Sequence, residues 1–461
     1  MIQNLVWLSH DLRLYDNPAL WQACANGPTV TIAFDPNPWI TGQAQQCWYH
    51  QSLQQLAQRL AEQNIACYIV SGPWQDMIVS ILQNNPSINT LWMSDIQPAE
   101  QKLIQTHIQH CNVACSFIDS NHLQPLGTML TQQQTPFKIY TPFKNAMRRC
   151  LSGRRQAYPV PKQSLYHQLS SVPEPTYIHH NEKSWHKKLA ISIQAGEYQA
   201  WQRLKYFINH CLYDYEHATP QLTPNISSQL APFIALGEIS VIAIVDALEQ
   251  HGHFDYATRF VDQLIWREFC HQLYYHFPNL TQHHFKSNFD AFPWRDDPDF
   301  LKAWQYGKTG FPIIDAAMRQ LWETGYMPNR LRMVVASFLT KNGLIHWQYG
   351  ANWFMDTLFD ADTANNAANW QWVAGSGTDA APYFRIFNPL RQAQQFDPKG
   401  AYVRQWLPIL KNIPDQMIHT PWVLTSAQKA QYQCQRYPDP IIDLKTTRQR
   451  ALSAYEMIKS K

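Results

Sequence analysis

The stretch Asp360-Ala-Asp-Thr-Ala-Asn-Asn-Ala-Ala-Asn-Trp-Gln-Trp372 decides how the rest of this chain is read. It continues through Gly375-Ser-Gly-Thr-Asp379 to Tyr383-Phe-Arg-Ile-Phe-Asn-Pro389. Two carboxylates, several Asn, two Trp at i and i+2 and an Arg stand among small residues. Asn, Asp and Gly weaken regular elements, whereas Trp demands packing. A segment that mixes them suits the wall of a cavity that grips a polar ligand and keeps aromatic rings close to it.

Outward from this stretch the chain divides by pattern. At 461 residues it exceeds one ordinary core, so two domains are expected. Leu5–Leu8, Val30–Phe34, Cys67–Val70, Leu91–Met93 and Ala114–Ile118 read as strands. Gln46 to Gln63, Gln75 to Gln83 and Ala99 to His110 read as helices between them. That alternation predicts βαβ units and a parallel sheet. No Gly-x-Gly-x-x-Gly follows the first strand, so the usual dinucleotide fingerprint is absent. From Leu126 to Ala195 the pattern loosens, with Pro136, Pro142, Pro159, Pro161, Pro173 and Pro175 as punctuation, and reads as an extended connector. After Gly196 helical periodicity dominates. The expected fold is an α/β N-terminal domain with a parallel Rossmann-like sheet over 1–125, a connector over 126–195, and a larger all-α domain over 196–461.

Composition excludes several classes. No apolar run approaches the ~18–20 residues of a membrane span, and Met1-Ile-Gln-Asn-Leu-Val-Trp-Leu lacks the basic start of a signal peptide. Nine scattered Cys fit a reducing cytoplasm better than a disulfide framework. A formal charge of +3 neither demands nor excludes nucleic acid, because a local patch outweighs the total. Eighteen Trp is the outlier, and core packing accounts for most of them. His107, His110, Cys111 and Cys115 span a helix end and a strand, a poor spacing for a metal, and no metal is expected.

Two further blocks accompany the first. One is Gly307-Lys-Thr-Gly-Phe-Pro-Ile-Ile-Asp-Ala-Ala-Met-Arg319, followed by Thr324-Gly-Tyr-Met-Pro-Asn-Arg-Leu-Arg-Met333; the other is Leu264-Ile-Trp-Arg-Glu-Phe269. In order and spacing the three resemble the cryptochrome/photolyase family, strongly from about Tyr213 onward, and most closely its class I branch acting on cyclobutane pyrimidine dimers. The resemblance implies an antenna domain at 1–125 and an FAD- and DNA-binding domain at 196–461. It implies FAD held by Tyr215, the turn Ser227-Ser228-Gln229-Leu230-Ala231, Arg267, Arg332, Asp360, Asp362 and Asn366. Of the two carboxylates, one would accept hydrogen bonds from the flavin and one would pair with Arg332. Asn366 would face flavin N5, where a neutral amide adjusts to the protonation state. Trp370, Trp347 and Trp294 fall on the positions of an electron-hopping chain.

The same resemblance implies UV-damaged DNA as substrate. Trp266 and Trp372 would stack on an extruded lesion, with Gln263, Asn329 and Met333 against it. Arg267, Arg330, Arg385 and Gln392 would meet the backbone, where the arginine fork suits phosphate oxygens. Gln263 departs from the Glu usual in the cyclobutane branch. Gln is found in (6-4) photolyases and many cryptochromes, yet Pro328-Asn329 replaces the His-His pair of the (6-4) branch. The implied reaction is light-driven splitting of cyclobutane dimers by reduced FAD, with a blue-light sensor or (6-4) repair as alternatives. The chain ends at Lys461, without the long extension common in signalling members. The basic residue expected after Tyr215 is missing, with His217 and Thr219 there, and Ser9 replaces an Arg. Glu100 remains of the pair that grips a folate, so a second antenna chromophore, folate or deazaflavin, stays open. One Cys434 beyond Cys270 argues against an iron–sulfur cluster. A monomer is the family expectation, and the cysteine usage points to the cytoplasm.

Overall fold

The computed structural model describes residues 1–170, 185, 188, 189, 193–218, 221–379 and 384–459. Pro173, Pro175, Thr219, Tyr383 and Lys461 lie outside the described residues. The chain forms two compact units. One comprises Met1–Phe137, Thr141–Glu216 and Ser227–Tyr275; the other comprises Lys138–Tyr140, His217–Ile226 and His276–Lys461.

The first unit is built on five parallel strands, β1 (Asn4–Trp7), β2 (Thr29–Phe34), β3 (Cys67–Val70), β4 (Thr90–Ser94) and β5 (Ala114–Ile118). Their order is β3-β2-β1-β4-β5, with Leu5 opposite Val30 on one side and Leu91 on the other. β1 and β2 are buried along their whole length, as a parallel sheet covered on both faces requires. Helices α1 (Pro18–Asn26), α2 (Gln43–Glu62), α3 (Trp74–Asn84) and α4 (Pro98–Ile108) make the crossovers. The order reverses between β1 and β4, so the carboxyl edge of β1 is a switch point where such sheets open a crevice.

Two sequence readings need correction here. Helix α1 escaped the periodicity, although Asn17 caps it by accepting from Leu20 N at 3.0 Å and Pro18 opens it. The segment from Leu126 to Ala195 is not uniformly extended, because α5 (Tyr140–Cys150) lies within it. Pro142 falls in its first turn, where a missing N–H costs nothing. Only Phe143 and Met147 are buried, so its apolar signal is two residues at i and i+4.

Glu238 is the most consequential buried acid of this unit. Its carboxylate accepts from Trp48 Nε1 at 3.0 Å, Gly196 N at 2.6 Å and Ser52 Oγ. Burial outweighs these donors and pushes the carboxyl up to about 7 from 4.5. A raised folded pKa means the native state binds the proton more tightly than the unfolded chain. This contribution to stability is therefore complete below 4.5 and is lost as pH rises through about 7. Glu238→Gln is expected to gain stability relative to the parent across that window, level off above it, and show the smallest gain at low pH. Urea midpoints at several pH values check this.

The second unit is helical. Its core gathers Trp304, Trp347, Trp370, Phe338 and Phe354 with many aliphatic side chains. The helix Asn329–Ser337 runs on into a π-helical turn, Phe338–Asn342. A parallel α/β sheet at the N-terminus and a larger helical region after it are as the sequence predicts. No helix among the described residues is long and apolar enough to cross a membrane. All nine cysteines are free thiols.

Candidate functional site

In the second unit the site is organised by two neighbouring helices, Trp347–Thr357 and Thr363–Ala374. Asp362 caps the second, its Oδ1 accepting from Asn365 N at 2.6 Å and from Asn365 Nδ2 at 2.8 Å. Gly375, in the left-handed region at φ 95°, ends it. Asn366 Nδ2 donates to Ala351 O at 2.9 Å and ties the two helices together. Of the adjacent amides, Asn365 serves its own helix cap and Asn366 reaches across. Asp360 is the carboxylate that pairs with Arg332, at 2.9 Å, and Arg332 Nε also donates to Met327 O at 2.8 Å.

The indoles grade from buried to partly exposed. Trp370 is 3 % exposed, Trp347 is 1 % exposed and Trp294 is half-buried. Trp370 packs against Phe354 at 5.0 Å between ring centroids and against Trp304 at 6.2 Å. Its outer ring lies over Gly350, one turn along the helix from Trp347. Trp294 contacts His284 and His346, and both imidazoles also contact Trp347.

The other candidates of this unit fall into two groups. Asn329 is exposed at the first position of its helix, and Met333, one turn later, packs partly buried on the core. Trp372 is half-buried, with Nε1 donating to Asp379 O at 3.1 Å. Arg330 lies over the Phe396 ring at 4.8 Å, and exposed Arg385 over Phe387 at 4.8 Å. Gln392 Oε1 is buried without a hydrogen-bond partner among the described residues. Lys341 was not anticipated: its buried ammonium donates to Arg385 O and lies 4.1 Å from the Phe384 ring centroid. Burial, then the Arg385 charge, pushes that amine down to about 7.

In the first unit, Gln263, Trp266 and Arg267 share the helix Thr258–His276. Gln263 is exposed, Trp266 meets Phe269 at 5.7 Å, and Arg267 Nη1 donates to Asn121 O and Glu268 Oε1, both at 2.9 Å. Ser227 and Ser228 turn their carbonyls to Arg203, at 2.9 and 2.7 Å. Gln229 adopts φ 54°, and Leu230 precedes the short helix Ala231–Ala235. Tyr215 lies under Arg259, 5.3 Å from guanidinium carbon to ring centroid. Arg259, a basic neighbour that the sequence did not point to, also donates from Nη1 to Tyr215 O at 2.9 Å. Neither it nor Arg203 could be found by spacing, because each is remote in the chain from the residue it holds. Glu100 accepts from Gln97 N at 3.2 Å in a capping box, a local structural role. His107 bonds Leu103 O within its helix and packs on Trp74, and no metal-holding group of His, Cys, Asp and Glu occurs among the described residues.

A parallel-sheet unit and a helical region rich in buried indoles together define the architecture shared by photolyases and cryptochromes. The family description "FAD binding domain of DNA photolyase" matches residues 260–457, and "DNA photolyase" matches residues 4–162. A deoxyribodipyrimidine photo-lyase of Agrobacterium fabrum is 36% identical, over 99% of this chain and 98% of its own. The crystal structure of a class III photolyase from Agrobacterium tumefaciens superposes with TM-score 0.90 at 35% identity, covering 100% and 98% of the two chains. A Synechocystis cryptochrome follows at 0.85 and 27% identity, covering 98% and 99%. The chain belongs to the DNA photolyase family; it is an enzyme of that family and its cofactor is FAD. The donor set suits such a group: amides and carboxylates for ring and ribityl hydrogen bonds, with Arg332 balancing one charge.

Proposed function

We propose that this protein is a light-driven repair lyase for cyclobutane pyrimidine dimers in DNA. The observation that carries the choice of lesion is Asn329 with Met333, set one turn apart on one helix as in the cyclobutane branch, with Pro328-Asn329 in place of the His-His pair of the (6-4) branch. The similarity to deoxyribodipyrimidine photo-lyases along the whole chain supports it. Membership of class I in particular rests on the sequence resemblance alone, and one of the similar solved structures is of class III. When bound, reduced FAD supplies light absorption and the electron that opens the cyclobutane ring. Tyr215, Ser227, Ser228, Gln229, Leu230, Ala231, Arg267, Arg332, Asp360, Asp362 and Asn366 would hold it. Asn366 is anchored through one amide hydrogen, so its remaining polar atoms are directed rather than free to rotate. Trp266, Trp372, Gln263, Asn329 and Met333 would take the flipped lesion, and Arg330, Arg385 and Gln392 the backbone. Extruding a damaged pair costs less than extruding an intact one, by roughly a few kcal/mol, which adds selectivity.

Gln263 favours a second reading as a (6-4) photolyase or blue-light sensor. Illuminating the reduced enzyme with oligonucleotides carrying each lesion decides among the three. Cyclobutane repair alone is expected; repair of neither lesion would leave the sensor. Trp370→Phe is expected to abolish light-driven reduction of oxidised flavin while leaving repair by chemically pre-reduced enzyme intact, because Trp370, Trp347 and Trp294 refill the flavin and are not among the residues placed against the lesion. In the first unit, Ser9 Oγ, Asp11 Oδ2 and Trp39 Nε1 are buried without partners among the described residues, near the carboxyl edges of β1 and β2. They support an antenna chromophore there, with folate and deazaflavin both open. A monomer working in the cytoplasm completes the proposal.

A further inference from the structure

Two imidazoles flank the outer indoles of the second unit. His284 lies parallel to Trp294, ring centroids 5.9 Å apart at 6°, and is inclined to Trp347 at 6.4 Å and 65°. His346 stands 5.1 Å from Trp294 and 5.8 Å from Trp347. The two imidazoles meet at 5.0 Å. Histidine is an indifferent core residue, so a pair packed on two indoles is more than filling requires.

The two are not equivalent. His284 Nδ1 lies 2.8 Å from Asp290 Oδ1; the imidazole is 6 % exposed and the carboxylate 66 %. His346 Nδ1 instead accepts from Gln348 N at 3.3 Å and caps the helix that Trp347 begins. Burial, then the nearby His284, lowers its pKa to about 4, so it stays uncharged at neutral pH. Trp294 Nε1 is buried and finds no acceptor among the described residues. An oxidised Trp294 therefore lacks a direct route for losing its proton, and its surroundings must stabilise a cation.

We propose that the His284–Asp290 pair tunes the outer indole, holding the electron hole on Trp294 in preference to Trp347. This rests on the relay reading of Trp370, Trp347 and Trp294. The oxidant is a photo-excited oxidised flavin. One electron leaves Trp370 for it, one passes from Trp347 to Trp370, and one from Trp294 to Trp347. No bond forms or breaks, and one positive charge ends on Trp294. A carboxylate that accepts Nδ1–H makes the imidazole more electron-rich. That ring offers its face to Trp294 but only an inclined contact to Trp347, so a cation is favoured on the outer indole. Return of the hole requires repopulating Trp347, so the lifetime of the separated charges follows the energy gap between the two indoles.

The test is laser-flash absorption of the tryptophan radical in the FAD-loaded full chain, with the flavin initially oxidised. Asp290→Asn keeps the hydrogen-bonded shape and removes the charge. It is expected to shorten the radical lifetime about three- to fivefold, the scale for one largely solvated charge at this range. His284→Phe keeps a stacked ring and removes the imidazole, and should shorten it at least as much. Should His284→Phe fail to fold, Asp290→Asn, at a mostly exposed carboxylate, still decides. Unchanged lifetimes in folded variants, with Trp370→Phe abolishing the signal, would overturn the tuning role and leave the relay standing. A full radical yield in Trp370→Phe would overturn the relay itself, and the tuning role with it.

Discussion

Gly350→Ala is expected to destabilise the protein by about 1–3 kcal/mol and to depress photoreduction. An added Cβ would stand 2.1 Å from Trp370 Cη2, 2.5 Å from Cζ3 and 2.7 Å from Leu339 Cδ2. Gly350 lies inside the helix Trp347–Thr357, where alanine alone would stabilise by about 1 kcal/mol. The sign of the effect therefore reports whether the indole can yield. Trp370 is also boxed by Phe354 and Trp304, so it has little room to retreat. Adding Trp370→Phe removes the clashing atoms and should recover much of the loss, making the pair non-additive. Denaturant midpoints of the single and double variants test this. A higher midpoint for Gly350→Ala alone would show that the indole moves aside.

Asp315→Ala is expected to cost about 3–5 kcal/mol or more, because buried donors would lose their acceptor. Asp315 accepts from Thr309 N and Thr309 Oγ1 at 2.7 Å each, Gly310 N at 3.1 Å and Tyr437 OH at 2.7 Å. Gly310 lies in the left-handed region at φ 79°, and a side chain there would meet the Asp439 backbone at 2.4 Å. Within the block from Gly307 to Arg319, Asp315 thus locks a helix start to the chain near Tyr437. Asp315→Asn, which keeps an accepting oxygen, should cost less. Urea unfolding of the two variants gives the comparison, and equal losses would point to charge rather than donor satisfaction.

The readings that matched the structure rest on short-range signals. β1 and β2 fall, to within one residue, where apolar runs put them, because a strand buried on both faces writes itself as a continuous run. α5 was lost because nine of its eleven residues stay out of the core. The pairing of Arg332 with one of two nearby carboxylates was legible through the family motif, but its assignment to Asp360 required the fold. Asp362 and Glu100, equally acidic in the sequence, are engaged at helix starts.

By itself the sequence determined a parallel α/β sheet, a helical region and a flavin-enzyme family, since periodicity and long motifs are written between neighbours in the chain. Tertiary structure alone decided which polar groups meet. Arg203 reaches Ser227 and Ser228, Arg259 covers Tyr215, Asp315 receives Tyr437, and His284 stacks on Trp294 beside Trp347. Such contacts depend on how packed helices bring distant segments together, and no local pattern encodes that.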